Sequence, residues 1–123
     1  MSTLKLDTLS NKAGTASVPS DTIVSGTAKA WVNFNGTGTV AIRRAFNVSS
    51  ITDNGTGNYY VNFTEAMPDV NYVTNLNHGS YGSAGIRGWD ILFNQETTRA
   101  RVETRGETGN EVDPPLVCVS VFS

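Results

Sequence analysis

Two copies of the tetrapeptide Asn-Gly-Thr-Gly, at residues 35–38 and 54–57, constrain this chain more than any other feature of its sequence. Each copy lies close to a Val-Asn-Phe triplet, at residues 32–34 and 61–63. Asn and Gly tolerate the positive φ angles of a tight hairpin turn, and Asn-Gly between alternating apolar residues is the strongest short-range signal for a β-hairpin. The two copies therefore predict a chain built from antiparallel strands and tight turns.

Strand-like alternation of apolar and polar residues recurs between residues 28 and 123. Beside the two triplets, further strands are predicted near residues 70–76, 85–93, 97–105 and 116–122. About seven short strands with turn signals every 8–12 residues or so are typical of a β-sandwich or a small barrel, and no stretch shows a convincing helical period. We predict an all-β fold: a single antiparallel β-sandwich, jelly-roll-like or immunoglobulin-like.

The first 27 residues have a different composition, in which Thr, Ser, Ala and Gly dominate and apolar residues are sparse. A segment with so little apolar area cannot offset its own ordering entropy, so any order in it must come from contact with something else. We therefore predict two regions, an extended N-terminal anchoring arm at 1–27 and a β-sandwich domain at 28–123. The predicted anchoring residues of the arm are Leu4, Leu6, Leu9 and Val18.

Charge and cysteine content narrow the classes of function. The formal net charge is −2 and no basic stripe is present, so the sequence does not predict nucleic-acid binding. The single cysteine, Cys118, cannot form an internal disulfide and is predicted to be a small buried side chain. No apolar run approaches the roughly 20 residues that span a bilayer, and no secretory leader is visible. We predict no membrane association and synthesis in a cytoplasm.

The sequence predicts neither an enzyme nor a cofactor or metal site. A single histidine and a buried cysteine do not form the nucleophile, base and orienting group that nucleophilic catalysis requires. The carboxylate pairs Glu65 with Asp69 and Glu107 with Glu111 lie in turn-like segments without a supporting signature for glycoside hydrolysis. A depolymerase would need such carboxylates to converge in a groove.

Three groups of residues are candidates for contacts with other molecules. Alternation places Arg99, Arg101, Glu103 and Arg105 on one strand face, which is either a polar face, exposed or between subunits, or a site for an anionic ligand or a charged neighbour. Trp31 is a candidate subunit contact, with burial in the core as the alternative. His78 and Tyr81 lie in a Gly-rich segment that predicts a recognition loop, or simply an exposed turn.

Three segments resemble virion structural proteins of tailed bacteriophages, many from aquatic hosts, which are often described as tail-fibre-like. The segments are STLKLDTLSNKAGT at residues 2–15, AKAWVNFNGTG at residues 28–38 and NVSSITDNGTGNYYVNF at residues 47–63. The resemblance covers about the first half of the chain. It implies a non-enzymatic virion protein, commonly a homotrimer, whose partners are copies of itself and other virion proteins such as the major capsid protein or tail proteins.

Two locations on the particle are compatible with this resemblance: a head-decoration or cement protein, and a short tail-fibre or adaptor component. The alternative from another class is a carbohydrate-binding module that recognises a glycan on the host surface. Such a module would present an exposed aromatic ring to the sugar. The candidate rings are Tyr59, Tyr60, Tyr72, Tyr81 and Trp89.

Overall fold

The computed structural model describes residues 1–79 and 89–123, with residues 89–94 described by their backbone alone. Within this part of the chain, the elements follow one another as β1 (Thr8–Ser10), β2 (Ser17–Pro19), α1 (Ser20–Gly26), β3 (Ala30–Asn35), β4 (Ala41–Phe46), β5 (Val48–Asp53), β6 (Asn58–Phe63), β7 (Val73–Gly79), β8 (Trp89–Glu96), β9 (Arg99–Arg105) and β10 (Leu116–Phe122).

Eight of these strands form two antiparallel four-stranded sheets, in the orders β4-β3-β10-β7 and β5-β6-β9-β8. Strict alternation directs every second side chain of the central strands inward, so that Val32 and Phe34 on β3 are buried while their neighbours are half-buried. Phe34 meets Tyr59 of the other sheet edge-to-face, with ring centroids 5.2 Å apart. The prediction of an all-β antiparallel sandwich is confirmed.

Both Asn-Gly-Thr-Gly segments connect neighbouring antiparallel strands, as predicted: residues 36–40 join β3 to β4 and residues 54–57 join β5 to β6. The loop between β9 and β10 ties the two connections together through Asp113. Its carboxylate Oδ1 accepts hydrogen bonds from the Gly57 N–H at 2.7 Å and from the Tyr59 hydroxyl at 2.8 Å. Its backbone carbonyl accepts a bond from the Thr37 hydroxyl at 2.8 Å. Both Asn-Gly-Thr-Gly segments are therefore hydrogen-bonded to the same residue, Asp113.

The chain passes from one sheet to the other at Asn47, the single residue between β4 and β5. Asn47 has a φ of +52°, a left-handed conformation that Asn tolerates better than most residues. Its side-chain amide donates to the backbone carbonyls of Lys29 (3.0 Å) and Glu65 (3.2 Å), and its Oδ1 accepts from the Glu65 N–H at 2.7 Å. Asn47 therefore fixes the loop after β6 against the start of β3.

Residues 8–26 form a hairpin of β1 with β2 followed by the seven-residue helix α1, where an extended chain without helix was predicted. The helix buries none of its residues, so its sequence needs no apolar face that repeats every 3.6 residues. No helical periodicity was therefore present to predict it. A hydrogen bond from the Ser20 N–H to the Asp7 carbonyl, 2.8 Å long, ties the beginning of the helix to the residue before β1.

Three of the four edge strands in these sheets carry an irregularity in their pairing. The register shifts between Asn33 and Phe34 where β3 meets the edge strand β4. Similar shifts occur on the edge strand β5, between Val48 and Ser50, and on the edge strand β8, between Phe93 and Glu96. Such bulges bend and twist the strand that carries them.

Candidate interaction surfaces

The predicted arginine face lies on the outer side of β9. Ala100, Val102 and Thr104 point into the core, so the residues between them, Arg99, Arg101, Glu103 and Arg105, share the opposite face, as the alternation predicted. Arg99 Nη2 lies 2.8 Å from Glu96 Oε1, and its guanidinium carbon lies 4.2 Å from the centroid of the Tyr60 ring. Arg99 is therefore engaged by a carboxylate and an aromatic ring of its own chain.

Glu103 sits at the centre of this face and is only 4% exposed. Its two carboxylate oxygens bind two different arginines: Arg101 Nη2 at 2.8 Å and Arg105 Nη2 at 3.1 Å. Arg105 also lies 3.9 Å from Glu111 and donates to the Gly109 carbonyl. Among the described side chains, the three arginines thus face three carboxylates of the same chain, which leaves them no excess positive charge for an anionic ligand.

Trp31 lies on the outer face of the sheet β4-β3-β10-β7. Its flanking residues on β3, Ala30 and Val32, are buried, so Trp31 points away from the core and is half-buried. Its neighbours across the strands are Ser120 on β10 and Phe46 on β4. Burial of Trp31 in the core is therefore wrong, and its role as a subunit contact stays a prediction.

Cys118 lies on this same outer face and is half-buried, where a fully buried side chain was predicted. The inward positions of β10 are taken by Val117, Val119 and Val121, and a residue between two of them must point outward. Burial is the larger influence on its thiol and raises the pKa of Cys118, while Arg43 lowers it. Because most residues from Leu116 to Phe122 are apolar, the sequence of β10 does not show which side chains point inward and which point outward.

His78 belongs to strand β7, paired with Val117 of β10, and is 4% exposed. The prediction that it lies in a recognition loop is therefore wrong, because the strand extends three residues further than the sequence pattern indicated and draws His78 inward with Thr74. Tyr81 lies outside the described residues. The strand predicted near residues 85–93 corresponds to β8 from Trp89 onward, and its residues 85–88 also lie outside the described part.

The apolar side chains of residues 1–27 are left uncovered. Leu4 is 82% exposed and Leu9 is 52% exposed, and Leu6 is also exposed. Val18 is half-buried through its pairing with Leu9 in the β1–β2 hairpin. None of residues 1–27 belongs to the buried core of the sandwich. Their role as anchoring contacts stays a prediction.

A groove of about 850 Å³ lies between the end of α1 and the corner at Asn47, and we call it the corner groove. Its apolar lining comes from Val24, Phe46, Met67 and Pro68. Sequence reasoning did not identify it, because its walls come from the helix, from the end of β4 and from the loop after β6. The left-handed Asn47 brings the last two together, and no local pattern encodes this.

The carbohydrate-binding alternative depends on an exposed aromatic ring. Tyr59 and Tyr72 are both buried in the core and cannot present a face to a sugar. Tyr60 is half-buried on the outer face of β6, beneath the guanidinium of Arg99. The side chains of Tyr81 and Trp89 lie outside the described part of the chain. This alternative has therefore lost two of its five candidate rings.

Buried Tyr72 gives the protein a predicted sensitivity to alkali. Burial, with a smaller effect from the charge of Glu96, raises the pKa of Tyr72 from 10.0 to about 12. A group whose pKa is higher in the folded state leaves stability unaffected below its unfolded pKa and reduces it as pH rises toward the folded value. We expect the melting temperature to fall between pH 10 and 12, and to fall less in Tyr72→Phe. Equal losses in both proteins, measured by thermal melting, would contradict this assignment.

Among residues 1–79 and 89–123, no group of three or more His, Cys, Asp or Glu side chains could hold a metal ion. In the same ranges, no helix is long and apolar enough to cross a bilayer.

The class of structure is an antiparallel β-sandwich with an exposed hairpin and helix at its N-terminal side. Comparisons of the chain with protein-family models, with curated proteins and with solved structures give no match.

Proposed function

We propose that this protein is a non-enzymatic structural protein of a tailed bacteriophage virion. It is a homotrimeric accessory on the particle surface, a decoration protein of the head or a short component of the tail, attached through residues 1–27. The observation that carries the proposal is the exposure of the apolar side chains of that segment, among them Leu9 of the hairpin at 52% and Ile23 of the helix at 40%. The partners we propose are other virion proteins. This follows from the resemblance to virion proteins of residues 2–15, 28–38 and 47–63.

The energetics of residues 1–27 support a role in attachment. Covering an exposed leucine stabilises a complex by about 1.5–3 kcal/mol, and this segment offers several such side chains that its own sandwich leaves uncovered. A hairpin and a short helix that bury nothing in the core lose little when they dock elsewhere. The segment is thus available to a neighbouring protein, while the sandwich is displayed.

The test of attachment is removal of residues 1–16. We expect the shortened chain to lose binding to virions that lack the protein, measured by co-sedimentation. We also expect its melting temperature to stay close to that of the full chain, because none of the removed residues lies in the core. A matched full-length control carries Ser at Leu4, Leu6 and Leu9 and should bind as poorly.

Two results would contradict the proposal. Retained binding after the deletion would show that residues 1–16 are not the attachment segment, and loss of folding would make them part of the sandwich. The mass of the full chain in solution, measured by light scattering, should be three times the chain mass of 13.2 kDa. Counting copies per virion by quantitative mass spectrometry distinguishes an abundant head decoration from a tail component present in few copies.

A further inference from the structure

We infer that the corner groove binds residues 4–6 of a second copy of this chain, so that neighbouring subunits are joined by their N-terminal segments. The inference rests on the proposed function only in assuming that the chain forms an oligomer. It assigns an occupant to the groove, and it gives the first residues of the chain a role between subunits. The hairpin and the helix then remain for contact with the particle.

The groove has the chemistry of a peptide-binding site. Its volume of about 850 Å³ lies in the range of pockets that enclose a ligand, and its walls include Val24, Phe46 and Pro68. Val24 and Phe46 are both more than half exposed, so two large apolar side chains face solvent at one place. Lys29 and Glu65 are the charged residues of the lining.

Residues 4–6 match this lining in apolar character and charge. In an extended segment, alternate side chains point to the same side, which places Leu4 and Leu6 together and Lys5 opposite. Both leucines are exposed in their own chain. Among the described residues Glu65 has no ion pair, whereas the Lys29 ammonium donates to the Val24 carbonyl. Lys5 of an incoming segment therefore complements Glu65 while the two leucines cover the apolar walls.

We assign the groove to a second copy because the segment that complements its lining is exposed in its own chain and does not occupy its own groove. Residues 1–7 have no secondary structure, and Leu4 stands in solvent although the groove is part of the same molecule. The Asp7 carbonyl is held by the Ser20 N–H at the beginning of α1, whereas the groove lies at the other end of that helix, at Val24 and Thr27. Residues 1–6 therefore extend into solvent from Asp7, which is held at the beginning of α1.

Cross-linking between two differently labelled chains tests the inference. In a Cys118→Ser background, one full-length chain carries Thr3→Cys, exposed and next to Leu4, and the other carries Ala66→Cys, an exposed position in the groove lining. The two are mixed and treated with a short bis-maleimide. We expect a product of twice the 13.2 kDa chain mass that contains both chains. The matched control replaces Ala66→Cys by Asn75→Cys, an exposed position on β7 outside the groove, and should give at least tenfold less product.

Charge reversal supplies a second measurement that introduces no cysteine. Lys5→Glu places a carboxylate against Glu65 and should weaken self-association at least severalfold, as measured by sedimentation, whereas Lys5→Glu combined with Glu65→Lys should restore it. Absence of both the cross-link and the rescue overturns the inference. So does a cross-link that forms only within one chain carrying both cysteines.

Failure of the inference and failure of the proposed function give different results. A full chain that is trimeric and binds virions, yet shows no cross-link at the groove, overturns the inference alone. A chain that cross-links at the groove but does not bind virions supports the inference and contradicts the virion role.

Discussion

Gly57→Ala is expected to destabilise the protein by about 3 kcal/mol and to lower its melting temperature by about 10 °C. A Cβ at Gly57 would lie 2.5 Å from the backbone oxygen of Thr104 and 2.9 Å from the backbone N and O of Val112. All three are main-chain atoms of the β9 strand and the following loop, which cannot move aside as a flexible side chain does. The φ of +64° adds the strain of a left-handed conformation.

Gly38→Ala is the matched control, because Gly38 has nearly the same φ of +63° and, among the described residues other than its two chain neighbours, no atom lies within 4 Å of the position of an added Cβ. It should lose only the conformational contribution of about 1 kcal/mol. Both variants are measured by thermal and denaturant unfolding. Equal destabilisation of the two would mean that φ alone matters and that the close approach at Gly57 is relieved without loss.

Glu103→Ala is expected to destabilise by about 3 kcal/mol, because it removes a buried carboxylate that neutralises two arginines. Arg101 and Arg105 would remain beside each other on β9, partly buried and without the shared carboxylate. Repulsion between the two guanidinium groups should add to the loss. The measurement is the free energy of unfolding in denaturant at neutral pH.

Glu96→Ala provides the comparison, since Glu96 binds Arg99 with both side chains about two-fifths exposed. An exposed pair of this kind contributes little to stability, because solvent screens it and holding both side chains in place costs entropy. If the two glutamate variants lose the same free energy, the buried position of Glu103 has no special importance for stability. High salt should weaken the Glu96 pair more than the Glu103 pair, because water and ions reach it more easily.

Local patterns predicted the architecture of the sandwich well. The Asn-Gly segments predicted the two hairpin connections, and alternation around Arg99 and Arg105 predicted which side chains share the outer face of β9. The first prediction depends on turn residues between strands that are neighbours in the sequence, and the second depends on a period of two along one strand.

Features that depend on distant segments could not be predicted in this way. The burial of His78 follows from where β7 pairs with β10, and the corner groove follows from the left-handed conformation at Asn47. Asp113 links two turns that lie more than 50 residues before it. The local sequence pattern around each of these residues does not indicate which distant residue it contacts.

The bulges on β4, β5 and β8 bear on how closely many copies of this sandwich can be crowded. A flat edge strand offers unpaired N–H and C=O groups to any identical strand nearby, and crowding on a surface raises the frequency of such encounters. An interrupted register presents a twisted edge that an identical strand cannot match over its full length. At these three edges, sandwiches held side by side can therefore remain separate molecules instead of growing into a continuous sheet.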